Sequence, residues 1–220
     1  HSIVRDSGKE GISYSGNGAM IFNNLIIGNG KNLTGEYAIS LSSGSQHQII
    51  NNTVHNNKNG GVRIGTSNNA PVFSTVVNNI IVQNPVGVRE PSGSDYTGRA
   101  TLDYNDVYNN TTNYSLSSGS GTVKGPNSIA VAPAFIDPAN NDFRLGRQAT
   151  GQAADSPVIN KGSDTAENLG LGGRTAFTDK SPDVDQVDLG YHGTPLNPTD
   201  GVATVNQATL TFTQSGQGFT

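Results

Sequence analysis

The sequence predicts an all-β protein: a right-handed parallel β-helix, which is a solenoid, followed by an irregular C-terminal closing segment. The first observation is a repeat, since segments that begin at residues 19, 47, 74 and 100 align at offsets of 28, 27 and 26 residues. The second is that two positions of the repeat hold asparagine in every copy. The third is the scarcity of helix-forming residues, because the 220 residues include 26 Asn and 28 Gly but four Glu and six Lys.

Each repeat unit contains three short strands. Strand-like pieces at 11–14, 38–41, 61–64 and 87–90 precede the aligned segments, which span 19–29, 47–57, 74–84 and 100–110. A unit of this length is too short for a propeller blade and lacks the leucine-rich consensus of a horseshoe. It fits one coil of a parallel β-helix, in which the coils stack and share a continuous core. Residues 1–128 are therefore predicted to form the coils.

Two asparagine columns mark the corners of the predicted coil. The first column consists of Asn24, Asn52, Asn79 and Asn105, and the second of Asn29, Asn57, Asn84 and Asn110. Asparagine tolerates the left-handed backbone of a tight corner, and stacked amides hydrogen-bond from one layer to the next. We therefore predict two asparagine ladders. Leucine at Asn79 is expected to destabilise the protein more than leucine at Asn68, which lies in a variable loop.

Three apolar columns fill the predicted interior, with one inward side chain from each short strand. They are Ile12, Ile39, Val62, Val88; Ile21, Ile49, Val76, Leu102; and Ile26, Val54, Ile81, Val107. The N-terminal segment aligns with His1 in the first asparagine column, Asp6 in the second and Ile3 in an apolar column. We therefore expect that the chain begins inside a coil, so that it is the C-terminal portion of a longer protein or another chain covers this end.

The coils and the segment after them resemble a known family. NNxIIxxN-type coils cover residues 1–128, and APAFIDPANNDFRLG (132–146), ADSPVINKGS (154–163) and SPDVDQVDLGYH (181–192) follow. The chain is similar to the right-handed parallel β-helix repeat family, which is pectate-lyase-like, with the closing segment typical of bacterial and archaeal surface proteins of this fold. The resemblance implies a secreted or cell-surface location and a closing segment, 129–193, that shields the apolar end of the last coil. The family includes polysaccharide lyases, hydrolases and epimerases, together with surface proteins.

Residues 194–220 differ from both preceding parts. A proline-rich linker at 194–201 leads into 202–220, where apolar and polar residues alternate as they do in a strand. An unpaired strand invites pairing with another sheet edge. We expect this segment to open a further β domain, to fold back on the coils, or to add to a sheet of a neighbouring subunit.

Charged residues interrupt the coil pattern at two places. The outward column of the first strand contains Arg63 and Arg89 one coil apart, and stacked arginines are costly unless they face an anion or an acidic partner. The resemblance implies a uronate carboxylate as that anion, since lyases of this fold use Arg or Lys beside one. Glu90 and Asp103 replace apolar residues and are candidates for a catalytic carboxylate pair, or they mark the end of the coil stack. The alternative for the arginines is neutralisation by Glu36, Glu90 or Asp95.

Long loops and an acidic run supply two further candidate sites. The loop after the first strand lengthens along the stack, and such loops often bind ligands. The candidate glycan-binding residues there are Tyr96, Arg99 and Tyr108, and tolerated insertion is the alternative. The acidic run contains Asp179, Asp183, Asp185 and Asp188, which are candidate ligands of Ca²⁺, and turn formation is the alternative. No histidine falls in a metal-binding pattern, no cofactor is required by any motif, and Ca²⁺ is the one candidate.

Charge and composition restrict the partners. The net charge of −4 provides no basic surface for nucleic acid, and no apolar run approaches the ~18 residues of a membrane-spanning segment. The absence of cysteine excludes disulfides and thiolate metal sites. The sequence predicts a scaffold, adhesin or filament subunit that binds glycan, with polysaccharide or neighbouring copies of itself as partners. The alternative is the C-terminal half of a lyase or hydrolase acting on uronate-containing polysaccharide.

Overall fold

The structure is a computed structural model that describes residues 1–32, 34–66, 71–93 and 95–194. Within these ranges the chain is all-β apart from two short 3₁₀ turns, Pro138–Asn140 and Gln148–Thr150. Its parallel sheets form a solenoid of about 4 turns, so the predicted fold class is confirmed. Asn68 and the strand expected at 202–220 lie outside the described residues.

Three parallel sheets run along the stack, and successive coils add one strand to each sheet. Sheet A contains β1 (Ile3–Arg5), β4 (Leu25–Ile27), β7 (Thr53–His55), β10 (Ile80–Val82) and β13 (Asp106–Tyr108). Sheet B contains β2 (Ile12–Tyr14), β5 (Ile39–Leu41), β8 (Val62–Ile64), β11 (Val86–Arg89) and β14 (Thr112–Ser115). Sheet C contains β3 (Met20–Phe22), β6 (Gly44–Ile50), β9 (Val72–Val77), β12 (Arg99–Asp103) and β15 (Val123–Lys124). An antiparallel pair follows, β16 (Phe135–Asp137) with β17 (Asp142–Leu145).

The interior of the solenoid is a column of branched aliphatic side chains. Ile39 pairs in register with Ile12 on one side and Val62 on the other, and Ile81 pairs in the same way with Val54. All three apolar columns belong to one core cluster. Because branched side chains pack well on a pleated surface, each coil buries its inward residues against the coils above and below it.

Asparagine side chains form a hydrogen-bonded ladder at two corners. Asn79 is fully buried, and its Oδ1 accepts hydrogen bonds from the backbone N of Asn52 at 2.9 Å and from Asn52 Nδ2 at 3.0 Å. Asn79 Nδ2 donates to the carbonyl oxygen of Ile49 at 2.8 Å. The second corner repeats this arrangement, with Asn57 Nδ2 donating to Asn84 Oδ1 at 3.1 Å. The ladders therefore satisfy polar groups inside the coil stack, where water does not reach them.

The residue with the left-handed backbone is the one before the ladder asparagine. This corrects the sequence prediction that a single asparagine both turns the chain and forms the ladder. Asn23, Asn51 and Asn78 have φ angles of 54°, 52° and 60°, whereas none of the eight ladder asparagines has a positive φ. A left-handed residue turns the chain, and the next residue then points its amide inward. In the Asn-Asn pair at this corner, the first residue turns the chain and the second forms the ladder hydrogen bonds.

The predicted register of the N-terminal segment is wrong by one residue. Ile3 pairs with Leu25, so Ser2 rather than His1 lies in the first asparagine column. The backbone N of Ser2 donates to Asn24 Oδ1 at 3.0 Å, and Val4 rather than Ile3 packs against the core. A shift of one residue exchanges the two faces of a strand, which explains why the Ile3 side chain is 59% exposed.

The closing segment packs along the side of the stack. Ile80 and Val82 of β10 point away from the solenoid core and form a second cluster with Leu145, Phe177 and Leu189. Sheet A is therefore apolar on both faces at this strand, and the closing segment covers its outer face. The sequence predicts a shield for the end of the last coil, whereas these contacts run along the side of sheet A.

The same segment reaches back to the first coils through the left-handed asparagines. Asn23 Nδ2 donates to the carbonyl oxygen of His192 at 2.8 Å, and Asn51 Nδ2 donates to the carbonyl oxygen of Asp188 at 3.0 Å. The carbonyl oxygen of Asn78 accepts a further bond from this segment. The outward amides therefore bind the closing segment, while their inward neighbours bind the coils to one another.

Candidate functional site

Sheet B presents two stacked arginines on its outer face. Arg63 of β8 and Arg89 of β11 are paired in register, as are Ser13 and Ser40 earlier in the same column. Neighbouring strands lie ~4.8 Å apart, so the two side chains leave the sheet side by side. Both are partly buried, which strengthens the electrostatic effect of each charge on a ligand.

Hydrogen bonds fix the orientation of Arg63. Its Nε and Nη2 donate to Ser40 Oγ at 3.0 and 2.8 Å, and its Nη1 donates to the carbonyl oxygen of Gly35 at 2.9 Å. Its Nη2 also lies 3.4 Å from Glu10 Oε1. The guanidinium sits 5.2 Å from the ring centroid of Tyr37, a cation–π arrangement. Four groups therefore hold this charge in place.

Arg89 completes a polar cleft beside Arg63. Its Nη1 donates to Tyr37 Oη at 3.3 Å, so Tyr37 contacts both guanidinium groups. The cleft has a volume of about 610 Å³. Its lining residues are Gly35, Tyr37, Asn59, Arg63, Gly65, Thr66, Val86, Arg89, Pro91 and Ser92. Two guanidinium groups together with hydroxyl and amide groups are suited to an anionic, hydroxylated ligand.

A carboxyl pair lies next to the cleft. Burial opposes ionisation of Glu10, but the hydrogen bond from Glu36 and the charge of Arg63 hold the pKa of Glu10 below its usual value. The hydrogen bond to Glu10 raises the pKa of Glu36. The contact between the two carboxyls therefore moves their pKa values in opposite directions. Sequence reasoning named Glu36 only as a neutralising residue and missed Glu10, which approaches Arg63 across two coils.

Glu90 and Asp103, the predicted catalytic pair, have separate structural partners. Glu90 is buried and accepts hydrogen bonds from the backbone N of Ser117, at 3.0 Å, and from Thr122 Oγ1. Asp103 accepts two bonds from Asn127, at 2.9 and 3.0 Å. Each carboxylate thus holds the chain that follows the fourth coil. This is the alternative role that the sequence suggests for them, and their catalytic role stays a prediction.

The three predicted glycan-binding residues do not share a surface. Tyr96 is fully buried, and its hydroxyl donates to the carbonyl oxygen of Ile64 at 3.1 Å. Its ring occupies space that a side chain at Gly98 would fill, so Tyr96 has no exposed ring face for a sugar. Tyr108 packs against the closing segment on sheet A, whereas Arg99 is exposed on β12 of sheet C. The three residues therefore do not form one surface, and their role in glycan binding stays a prediction.

The four predicted calcium ligands separate into two groups. Asp179 accepts hydrogen bonds from Ser181, and Asp185 is exposed at a left-handed turn. Asp183 and Asp188 are buried, and they converge with His192, a residue that sequence reasoning excluded as a ligand. The four aspartates therefore do not converge as one set, and two of them serve turns, which is the alternative that the sequence left open. Calcium binding stays a prediction.

Asp106 makes the stability of the fold depend on pH. It replaces an apolar residue in register with Ile80, its Oδ1 accepts from the backbone N of Val131 at 2.9 Å, and its buried Oδ2 has no partner among the described residues. Burial raises the pKa of Asp106 to about 7. Because the unfolded chain loses this proton at lower pH, stability is highest below the unfolded pKa and declines as the pH rises through about 7.

We expect Asp106→Asn to reduce this pH dependence. The wild type should melt ~5 °C lower at about pH 8 than at about pH 5, and the variant should show a smaller difference, because an amide carries no charge. Thermal unfolding followed by circular dichroism measures both values. Asp185→Asn, at an exposed aspartate, is the control and should behave like the wild type. An Asp106→Asn protein with an unchanged pH profile would contradict the assignment.

The fold and the cleft define a pectate-lyase-like, right-handed parallel β-helix protein with a cationic outer face. A family model described as "Periplasmic copper-binding protein (NosD)" matches residues 2–124, more than half of the chain, and the chain belongs to this family. No curated protein and no solved structure matches the chain. No helix among the described residues is long and apolar enough to cross a membrane. The periplasmic description of the family supports an extracytoplasmic protein, which is the coarser part of the predicted secreted or cell-surface location.

Proposed function

We propose that the protein is an extracytoplasmic β-helix scaffold that binds an acidic polysaccharide in the arginine-lined cleft. The observation that carries the proposal is the in-register pair Arg63 and Arg89, both of which line one cleft. A uronate residue offers a planar carboxylate to a guanidinium, which binds it through two parallel hydrogen bonds. Its hydroxyls match the polar groups of Asn59, Thr66 and Ser92 in the cleft wall.

Arg89→Gln is expected to weaken binding of polygalacturonate by about tenfold, because a charge-assisted hydrogen bond contributes ~1.5–3 kcal/mol. Arg89 is a cleaner target than Arg63, since Arg63 also holds Ser40 and Gly35. Isothermal titration calorimetry with the acidic polymer and with neutral dextran measures the effect. Arg144→Gln, at an exposed arginine paired with Asp142, is the matched control. Equal affinity for the neutral polymer would reject the proposal.

A second candidate function, cleavage of the bound polysaccharide, is favoured by the carboxyl pair beside the cleft. The pKa of Glu10 lies below its usual value and that of Glu36 above it, and unequal pKa values in neighbouring groups allow one to act as acid and the other as base. The polygalacturonate samples can be assayed for unsaturated product by ultraviolet absorbance and for new reducing ends. Product formation that Glu36→Gln abolishes would support an enzyme. Binding of polygalacturonate without formation of product would support the scaffold function instead.

The described residues of the matched part do not assemble the ligand set that copper, which the family description names, prefers. Copper prefers imidazole, thiolate and thioether ligands, and the sequence has no Cys. Met20 is 66% exposed, and the His47 ring hydrogen-bonds the backbone around it. The ring nitrogens of His55 are buried without a hydrogen-bond partner among the described residues, but its ring packs against Phe143. Within the described portion of 2–124, no three side chains of His, Cys, Asp or Glu converge.

Association of the protein with further copies of itself stays a prediction.

A further inference from the structure

Three metal-ligating side chains meet inside the closing segment, away from the arginine cleft. Asp183, Asp188 and His192 are each at most 2% exposed, and one ligand atom of each lies within 4.8 Å of the other two. They come from ten consecutive residues that also contact the first two coils. Neither the polysaccharide-binding role nor the part of the chain matched by the family model uses them.

The hydrogen bonds of His192 leave its second nitrogen facing a carboxylate oxygen. His192 Nδ1 lies 3.0 Å from the carbonyl oxygen of Gly190, which can only accept, so Nδ1 carries a hydrogen. Nε2 then faces Asp183 Oδ2 at 2.7 Å. A neutral imidazole would place a lone pair against a carboxylate oxygen there. Either a proton or a metal cation must therefore lie between the two atoms.

Asp188 supplies an unused ligand atom at the same place. Its Oδ1 accepts a hydrogen bond from the backbone N of Asn160 at 2.8 Å, whereas its buried Oδ2 has no partner among the described residues. The charge of Asp183 close by adds to the cost of a second buried carboxylate. A divalent cation would balance both carboxylates and give Asp188 Oδ2 a partner.

We propose that Asp183, Asp188 and His192 bind a divalent transition-metal ion of the Zn²⁺ type, through one imidazole nitrogen and two carboxylate oxygens. Zn²⁺ accepts this mixture of ligands at ~2.0–2.2 Å. In a tetrahedral site the gap between Nε2 and Asp183 Oδ2 would open to ~3.3 Å, a small adjustment. Ca²⁺ is a poorer match, because it prefers six to eight oxygens. Gly190 and Asn160 already orient two ligands from outside, as supporting groups do in metal sites.

The proposed ion would fasten the closing segment to the coils. The ligand residues His192 and Asp188 are the ones whose carbonyl oxygens accept hydrogen bonds from Asn23 and Asn51. Fixing their side chains around a metal would also hold these backbone contacts. Binding should therefore raise the stability of the whole protein, because an ion that binds only the folded state shifts the folding equilibrium.

Metal-free protein, prepared with a chelator, is titrated with Zn²⁺, Cu²⁺ and Ca²⁺ in separate arms. We expect one Zn²⁺ per chain by calorimetry and a rise of ~5 °C in melting temperature at saturating metal. Cu²⁺ should bind at the same stoichiometry, and Ca²⁺ should leave the melting temperature unchanged. A melting temperature that does not respond to Zn²⁺ would mean that a proton alone occupies the site, and would overturn the proposal.

Asp188→Asn separates a metal site from a structural hydrogen-bond network. Asparagine keeps the acceptor for Asn160 and removes the unbalanced charge, so the metal-free variant should melt at or above the wild-type temperature. The same variant should lose most of the response to Zn²⁺. Asp185→Asn, at an exposed aspartate of the same loop, should retain the full response. A Zn²⁺ shift that survives in Asp188→Asn would place the ion elsewhere and reject the assignment.

Discussion

Replacing Asn79 with leucine is expected to lower the free energy of unfolding by about 3 kcal/mol or more. Asn79 is fully buried in the middle of its ladder. Its loss removes the acceptor of the backbone N of Asn52 and the side-chain bond that the carbonyl oxygen of Ile49 receives. Each buried, unpaired polar group costs ~1–3 kcal/mol. Urea unfolding followed by circular dichroism measures the change.

Asn32→Leu provides the comparison for this ladder prediction. Asn32 is an exposed asparagine in a loop, so the same change of side chain should alter the unfolding free energy by less than ~0.5 kcal/mol. If the two variants unfold at the same urea concentration, the ladder contributes no stability beyond that of an ordinary surface amide.

Gly190→Ala is expected to detach the closing segment, with a loss of ~2–4 kcal/mol. Gly190 has a φ of 86°, and a Cβ there would lie 2.6 Å from Thr53 Oγ1 and 2.7 Å from Ile80 Cδ1. Both of those residues belong to sheet A of the coils. Both side chains are themselves buried and have little room to move aside, so we expect the segment to shift away from its docking surface. Limited proteolysis should then cut within 146–194 faster than in the wild type.

Gly170→Ala separates the steric clash from backbone strain. Gly170 also has a positive φ, 72°, but a Cβ there would meet nothing within 4 Å. This variant should lose only the ~1 kcal/mol of a left-handed alanine and should resist protease as the wild type does. Equal protease sensitivity in the two glycine variants would show that strain, rather than docking against Thr53 and Ile80, determines the result.

The repeat allowed the coil fold to be predicted because its determinants are local and periodic. The stacking of Ile39 on Val62, for example, can be predicted because the two residues occupy the same position in successive repeats. Periodicity also brings Arg63 and Arg89 together, so that part of the candidate site was accessible from sequence. Within an Asn-Asn pair, however, the period alone does not say which amide faces inward, and the left-handed residue was assigned to the wrong member.

The features that could not be predicted from the sequence depend on contacts between segments that are not related by the repeat. Glu10 reaches Arg63 across 53 residues, and the Asn23–His192 contact spans 169 residues. Tyr96 lies in a loop whose length varies between coils, so no column marks its ring as buried. The apolar outer face of β10 was a usable signal for the docked closing segment, because its continuous run Ile-Ile-Val is typical of a strand covered on both sides.

The docking of His192 on Asn23 has a consequence for the order of folding. Contacts between adjacent coils join residues about 27 apart, so the stack can grow coil by coil from any nucleus. The closing segment bonds to the first coil only after the chain has been synthesised as far as His192, and contacts of such long sequence separation form slowly. Until then the outer face of Ile80 and Val82 is bare. We expect a transient species with complete coils and an uncovered sheet A, which is the stage at which the protein is most exposed to aggregation.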